Sequence, residues 1–121
     1  MIKFDLDESK TECKDAVIWC FGHSNVIFNK FAKIQKYCKL KNFNVVKIFG
    51  SFSQNKDTEK AEFNEMLDFI MHQKQKIAVV IHDSNQFPKF SNSKSELMDL
   101  VSSGKIELYF ASGRMRLSNK K

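Results

Sequence analysis

The chain has 121 residues, 42% of them hydrophobic and 28% charged, a composition that suits one globular domain with a single core and leaves no room for two. Its net charge is +6, but of its 20 basic residues only Arg114 and Arg116 are arginine, the rest being lysine spread through every segment. No apolar run approaches the roughly 20 residues a membrane helix needs, and Met1 leads into IKFDLDESK, which is too charged for a leader peptide. Cys13, Cys20 and Cys38 show no CxxC spacing and read as reduced thiols of a cytoplasmic protein.

In chain order, Ile2, Phe4 and Leu6 alternate with charged residues, the period of a short edge strand. Ala16 to Phe21 is a continuous apolar run, as expected of a strand covered on both faces. From 26 to 41, Ile27, Phe31, Ile34 and Cys38 recur at helical spacing, with Lys30, Lys33, Lys36 and Lys39 outside that stripe. FNVVKIF, Phe43 to Phe49, is a second strand-forming run. SFSQNKD follows as a loop with Asp57 placed to cap a helix that buries Phe63, Met66, Leu67 and Ile70.

IAVVI, Ile77 to Ile81, is the clearest buried strand, and HDSNQFPKFSN, with the only proline, is a loop. Ser93 and Glu96 are spaced as a capping box for a helix bearing Leu97, Leu100 and Val101, and Gly104 suits its end. Ile106 to Ala111 is a fourth core strand, and Ser112-Gly113 turns into a short strand, Arg114 to Leu117. The order β-α-β-α-β-α-β predicts an α/β fold: a three-layer, open, mostly parallel sheet of about four core strands with helices on both faces, plus short edge strands at the termini. One domain spans 1–121, with an extension at 1–14, a core at 15–112 and a tail or short strand at 113–121.

Ligands of such sheets bind at the carboxyl ends of the strands, which selects the loops starting at Gly22, Gly50 and His82. Four dispersed glycines match no phosphate-cradling motif, so no nucleotide or other small-molecule cofactor is expected. His23, His82 and Asp83 are candidates for a metal site or a phosphodiesterase, and Ser24 for a nucleophile with a histidine base; the plainer alternative is solvent-facing loop histidines. Phe87 and Phe90 are candidates to stack on bases or, more simply, to pack the loop onto the core.

Four runs carry a resemblance: YCKLKNFNVVKIF (37–49), SQNKDTEKAEFNEML (53–67), IAVVIHDSNQFPK (77–89) and ELMDLVSSGKIELYF (96–110). In spacing and apolar pattern the chain, over about residues 15 to 112, resembles the catalytic domain of serine recombinases, the resolvase and invertase family. The resemblance implies a resolvase-like fold and a serine that attacks a DNA phosphodiester while arginines hold the phosphate. The family's strand-1 motif, Y-x-R-x-S, falls either on Trp19, Phe21 and His23, losing both arginine and serine, or on Cys20, Gly22 and Ser24, keeping the nucleophile and replacing arginine with glycine. Its SG pair falls on Ser53-Gln54 and the next arginine on Lys60, while its D-R-f-x-R run becomes Asn85-Gln86-Phe87-Pro88-Lys89.

Guanidinium forks neutralise a phosphoryl transition state bidentately, which lysine does not reproduce. Loss of one such donor typically costs on the order of 10²–10³ in rate, and here several are replaced. The resemblance thus implies a domain inactive for strand transfer, with Ser24 as the residual nucleophile candidate and Ser53, Lys60, Gln86 and Lys89 as remaining DNA or phosphate contacts. The family's dimer-forming helix and DNA-binding domain would follow this segment, whereas the sequence ends at SNKK. Expected partners are DNA, a second copy or a related recombinase, and no membrane. An interaction module working through Phe69 and Met71, off the main stripe of their helix, is the remaining alternative.

Overall fold

A computed structural model describes residues 2–6, 14–22, 24–51, 56–83, 86, 93–113 and 115–119. The elements are β1 (Ile2–Leu6), β2 (Asp15–Phe21), α1 (Ser24–Leu40), β3 (Asn44–Ser51), α2 (Lys56–Met71), β4 (Ile77–Ile81), α3 (Ser93–Ser102), β5 (Ile106–Phe110) and β6 (Met115–Asn119). They form one six-stranded sheet in the order β1-β6-β5-β4-β2-β3. The four expected core strands, β2 to β5, are parallel. β6 runs antiparallel to β5 and β1 antiparallel to β6, so the two terminal strands extend the same side of the sheet. β3 forms the opposite edge.

Alternation along each strand divides the core in two, because successive side chains point to opposite faces. Val17, Trp19, Phe49, Val79, Ile81, Leu108 and Phe110 meet Phe63, Met66 and Ile70 of α2 and Leu97 and Val101 of α3. Ala16, Ile18, Cys20, Ala78, Val80 and Tyr109 meet Ile27, Ile34, Tyr37 and Cys38 of α1 on the other face. The three-layer α/β fold read from the sequence is therefore the fold observed. β4 is buried along its whole length, as its unbroken apolar run requires.

Local chemistry sets the helix ends. Asn42 adopts a left-handed φ of 59°, and Phe43 N–H donates to Cys38 O at 2.9 Å, so α1 ends in a Schellman-type cap whose following Phe43 is buried. Gly104, at φ 80°, lets Lys105 N–H reach Leu100 O at 3.0 Å and ends α3 the same way. Three boundaries differ from expectation. α1 starts at Ser24 rather than 26, Asp57 lies inside the first turn of α2 rather than before it, and the last strand is Met115–Asn119.

Candidate functional site

The chain leaves β2 through α1 to reach β3 on one side, then crosses back through α2 to β4 on the other. The connections after β2 and β4 therefore diverge to opposite faces of the sheet, and such a switch point is where doubly wound sheets open a crevice for ligands. Phe21 and Gly22 lie on one side of it, and His82, Asp83 and Gln86 on the other.

Gln86 ties the two sides together. Its backbone carbonyl accepts from Trp19 Nε1 at 2.8 Å. Its side-chain amide meets the backbone of Phe21: in one orientation Oε1 accepts from Phe21 N at 3.3 Å. In the other, Nε2 donates to Phe21 O at 3.1 Å and Oε1 accepts from Lys30 Nζ at 3.3 Å. The second makes two bonds instead of one and is the orientation its surroundings favour. Lys30 belongs to α1, one helical turn past Ile27, and is half-buried at the flank of the apolar stripe. Its charge also reaches Cys20, although burial dominates there and pushes the thiol up to about 11.

Acidic groups occupy the neighbouring strand ends. Gly50 N–H donates to Glu62 Oε1 at 3.0 Å, so a carboxylate from α2 caps the end of β3. At the end of β4, His82 Nδ1 and Asp83 Oδ2 are 2.7 Å apart, with His82 buried. The side chains bonded at these ends thus include Lys30 as a cation, and Glu62 and Asp83 as carboxylates. A phosphate placed between β2 and β4 would meet Asp83 as a like charge, which opposes anion binding.

The backbone at Gly50 is unusually close to β2. Gly50 has φ 140°, and a Cβ built on it would lie 1.7 Å from Cys20 O. Only glycine permits this approach, which holds the carboxyl ends of β2 and β3 together beside the crevice.

Of the residues singled out in the sequence, Gln86 is at the crevice, bonded to β2, and Ser24 is the first residue of α1, directly after the turn that leaves β2. His82 and Asp83 pair with each other at the end of β4. Lys60 is exposed on α2, and its position two residues before Glu62 turns it away from the strand that Glu62 caps. His23, Ser53, Phe87, Lys89 and Phe90 lie outside the described residues. Among the described residues no three His, Cys, Asp or Glu side chains group to hold a metal. Phe69 is half-buried, its ring 5.8 Å from that of Phe49, so the expected exposure applies to Met71 alone, at 61%.

Sequence reasoning missed Lys30, Glu62 and the role of Trp19. Lys30 carried a signal, since i+3 from Ile27 places it beside the buried stripe. Glu62 and the indole bond carried none, because both depend on which strands become neighbours.

A second polar cluster lies at the amino ends of the strands, opposite the crevice. Lys14 Nζ donates to Glu107 Oε1 at 2.6 Å and to Tyr109 Oη at 3.2 Å, and Tyr109 Oη donates to the same Glu107 oxygen at 2.9 Å. Burial works to raise the Glu107 carboxyl, but bonds from Lys14 and Tyr109 and the charges of Lys14 and Lys76 hold it below its ordinary value. Burial would lower Lys14, yet its bonds to Glu107 and Tyr109 leave it raised. Burial, reinforced by the Glu107 charge, pushes Tyr109 up to about 12. This closed network ties the segment before β2 to β5 and reads as structural. No helix among the described residues is long and apolar enough to cross a membrane.

No known family's sequence model, no curated protein and no solved structure matches the chain.

Proposed function

We propose that the chain is a serine-recombinase-type domain that has lost strand transfer and keeps a charge-driven hold on DNA. The observation that carries the reading is what the described residues bring to the crevice, the Gln86 amide, Lys30 and the His82–Asp83 pair, in a chain whose only arginines are Arg114 and Arg116. Arg116 lies on β6, separated from β4 by β5. A scissile phosphate needs several fixed guanidinium donors, and among the described residues this crevice offers one lysine in their place. Ser24 remains the residual nucleophile candidate, at the start of α1.

The hold on DNA rests on the outward lysines of α1, beyond Lys30 at the crevice. From residue 16 to 56 there is no Asp or Glu, and that stretch contains seven lysines, four of them on α1. A contact through the three exposed α1 lysines, Lys33, Lys36 and Lys39, would follow counterion release, with log K falling against log salt at a slope of about −2.7, or roughly 40-fold between 50 and 200 mM salt. Anisotropy titrations of a mixed-sequence duplex over that range test this. Binding that ignores salt, or no binding at 20 mM salt, would refute the charge-driven contact.

One observation favours a second reading. The His82–Asp83 pair has the form of an oriented histidine base, which would suit a phosphodiesterase using His23, His82 and Asp83. That reading requires a nicking activity lost in His82→Ala; nicking that persists in the variant would eliminate it.

A further inference from the structure

On the face of the sheet away from α1, α2 and α3 leave a groove of about 620 Å³. Leu67, Met71 and Leu100 give it an apolar lining, and Asp68, Glu96 and Asp99 supply its charge. Among the described residues no lysine or arginine lines it. Met71 is 61% exposed, so this side of the groove faces outward. Its chemistry asks for an apolar knob ringed by cations.

The opposite face of the protomer presents such a knob. Leu40, the last residue of α1, is 62% exposed. Helical spacing puts Lys36 and Lys33 beside it, at i−4 and i−7, with Val26 further along the same outward line and also exposed. All of α1 carries four lysines and no carboxylate, whereas α2 carries five carboxylates against two lysines.

We propose that the α2–α3 groove docks the Leu40 end of α1 from a second copy of this chain. Leu40 enters among Leu67, Met71 and Leu100, and Lys33 and Lys36 face Asp68, Glu96 and Asp99. Knob and groove lie on opposite sides of the sheet, so the contact is head-to-tail. It builds open chains or rings rather than a closed two-fold dimer, because a pair of protomers joined this way still has one free knob and one free groove. A contact this small is weak, and its charges are screened once the Debye length falls to about 10 Å near 0.1 M salt. The proposal shares Lys33 and Lys36 with the DNA reading but rests on Leu40 and the groove, and survives if that reading fails.

Sedimentation of the full chain between 10 and 500 μM tests it. In 20 mM salt the average mass rises with concentration above the 14.1 kDa monomer, and in 0.5 M salt it returns to the monomer. Asp68→Lys/Asp99→Lys and Lys33→Glu/Lys36→Glu, all at exposed positions, each give monomers alone. An equimolar mixture associates again, because the basic α1 of the first variant meets the unaltered groove of the second, and the reversed pair also matches. Circular dichroism of each variant confirms that it is folded. A wild type that stays monomeric throughout overturns the proposal. So does association that survives salt and both charge reversals, which would point to pairing along the β3 edge.

Discussion

Replacing Gly50 with alanine tests how the strand ends are built. The new Cβ would sit 1.7 Å from Cys20 O, 2.6 Å from Cys20 C and 3.1 Å from Cys20 N, all backbone atoms of the neighbouring strand β2. No side-chain rotation relieves this, so either β3 withdraws from β2 or residue 50 leaves its φ of 140°. Retaining that φ with a Cβ costs about 1–3 kcal/mol. Withdrawal breaks the Gly50–Glu62 bond and loosens the pairing of Cys20 with Gly50, at about 1 kcal/mol for each hydrogen bond lost. The total is about 3–5 kcal/mol against an overall stability of about 5–15 kcal/mol. With about 2.1 cal/mol/K of unfolding entropy per residue over 121 residues, the melting temperature falls by roughly 12–20 °C. Calorimetry reads this directly. Gly113→Ala is the control: its φ is also positive, at 81°, but the nearest atom to its Cβ would be Met115 Cγ at 3.9 Å. That variant loses only the backbone term, about 1 kcal/mol or roughly 4 °C. Equal losses in the two variants would refute the close-approach argument.

Other outcomes follow from the buried titratable groups. Cys20 and Cys38 are buried thiols pushed up to about 11, so at pH 8 each holds roughly 100-fold less thiolate than at the ordinary value of 9.0. Both should resist alkylation in the folded chain and react within minutes in denaturant, as mass spectrometry of digested peptides would record. Tyr109 keeps its proton in the folded state up to about 12 but releases it near 10 when unfolded, so its contribution is complete below pH 10 and is lost as pH rises to 12. Lys14, also raised, acts in the same direction, while Glu107, lowered, contributes above its unfolded value of 4.5 and is lost as acid protonates it. Tyr109→Phe should cost about 1 kcal/mol at pH 7 and flatten the fall in urea midpoint between pH 10 and 12. An unchanged alkaline slope would contradict the assignment.

The parts of the fold that were legible in the sequence are those set by local pattern. IAVVI had to be a strand covered on both faces, and Gly104 had to end a helix, because each signal is complete within a few residues. β3 was different. Its apolar run, FNVVKIF, looks like that of an interior strand, yet Val45, Val46 and Ile48 are exposed because the topology leaves β3 at an edge. The start of α1 was obscured because Ser24 and Asn25 have low helix propensity and the apolar stripe begins only at Ile27. Phe69 looked free on a helical wheel but reaches Phe49 on β3, with Lys47 Nζ 5.6 Å from its ring. The crevice was legible in outline only. Strand ends named Gln86, His82 and Asp83, but the Gln86–Trp19 bond spans 67 residues and exists only because β2 and β4 are neighbours.

The central claim is that this crevice does not carry out strand transfer, and trapping of covalent protein–DNA adducts tests it most directly. Incubated with supercoiled DNA, quenched in detergent and digested, the chain should give no nucleotide-modified serine peptide and leave the plasmid supercoiled. A phosphoserine–DNA adduct at Ser24, abolished in Ser24→Ala, would contradict the account.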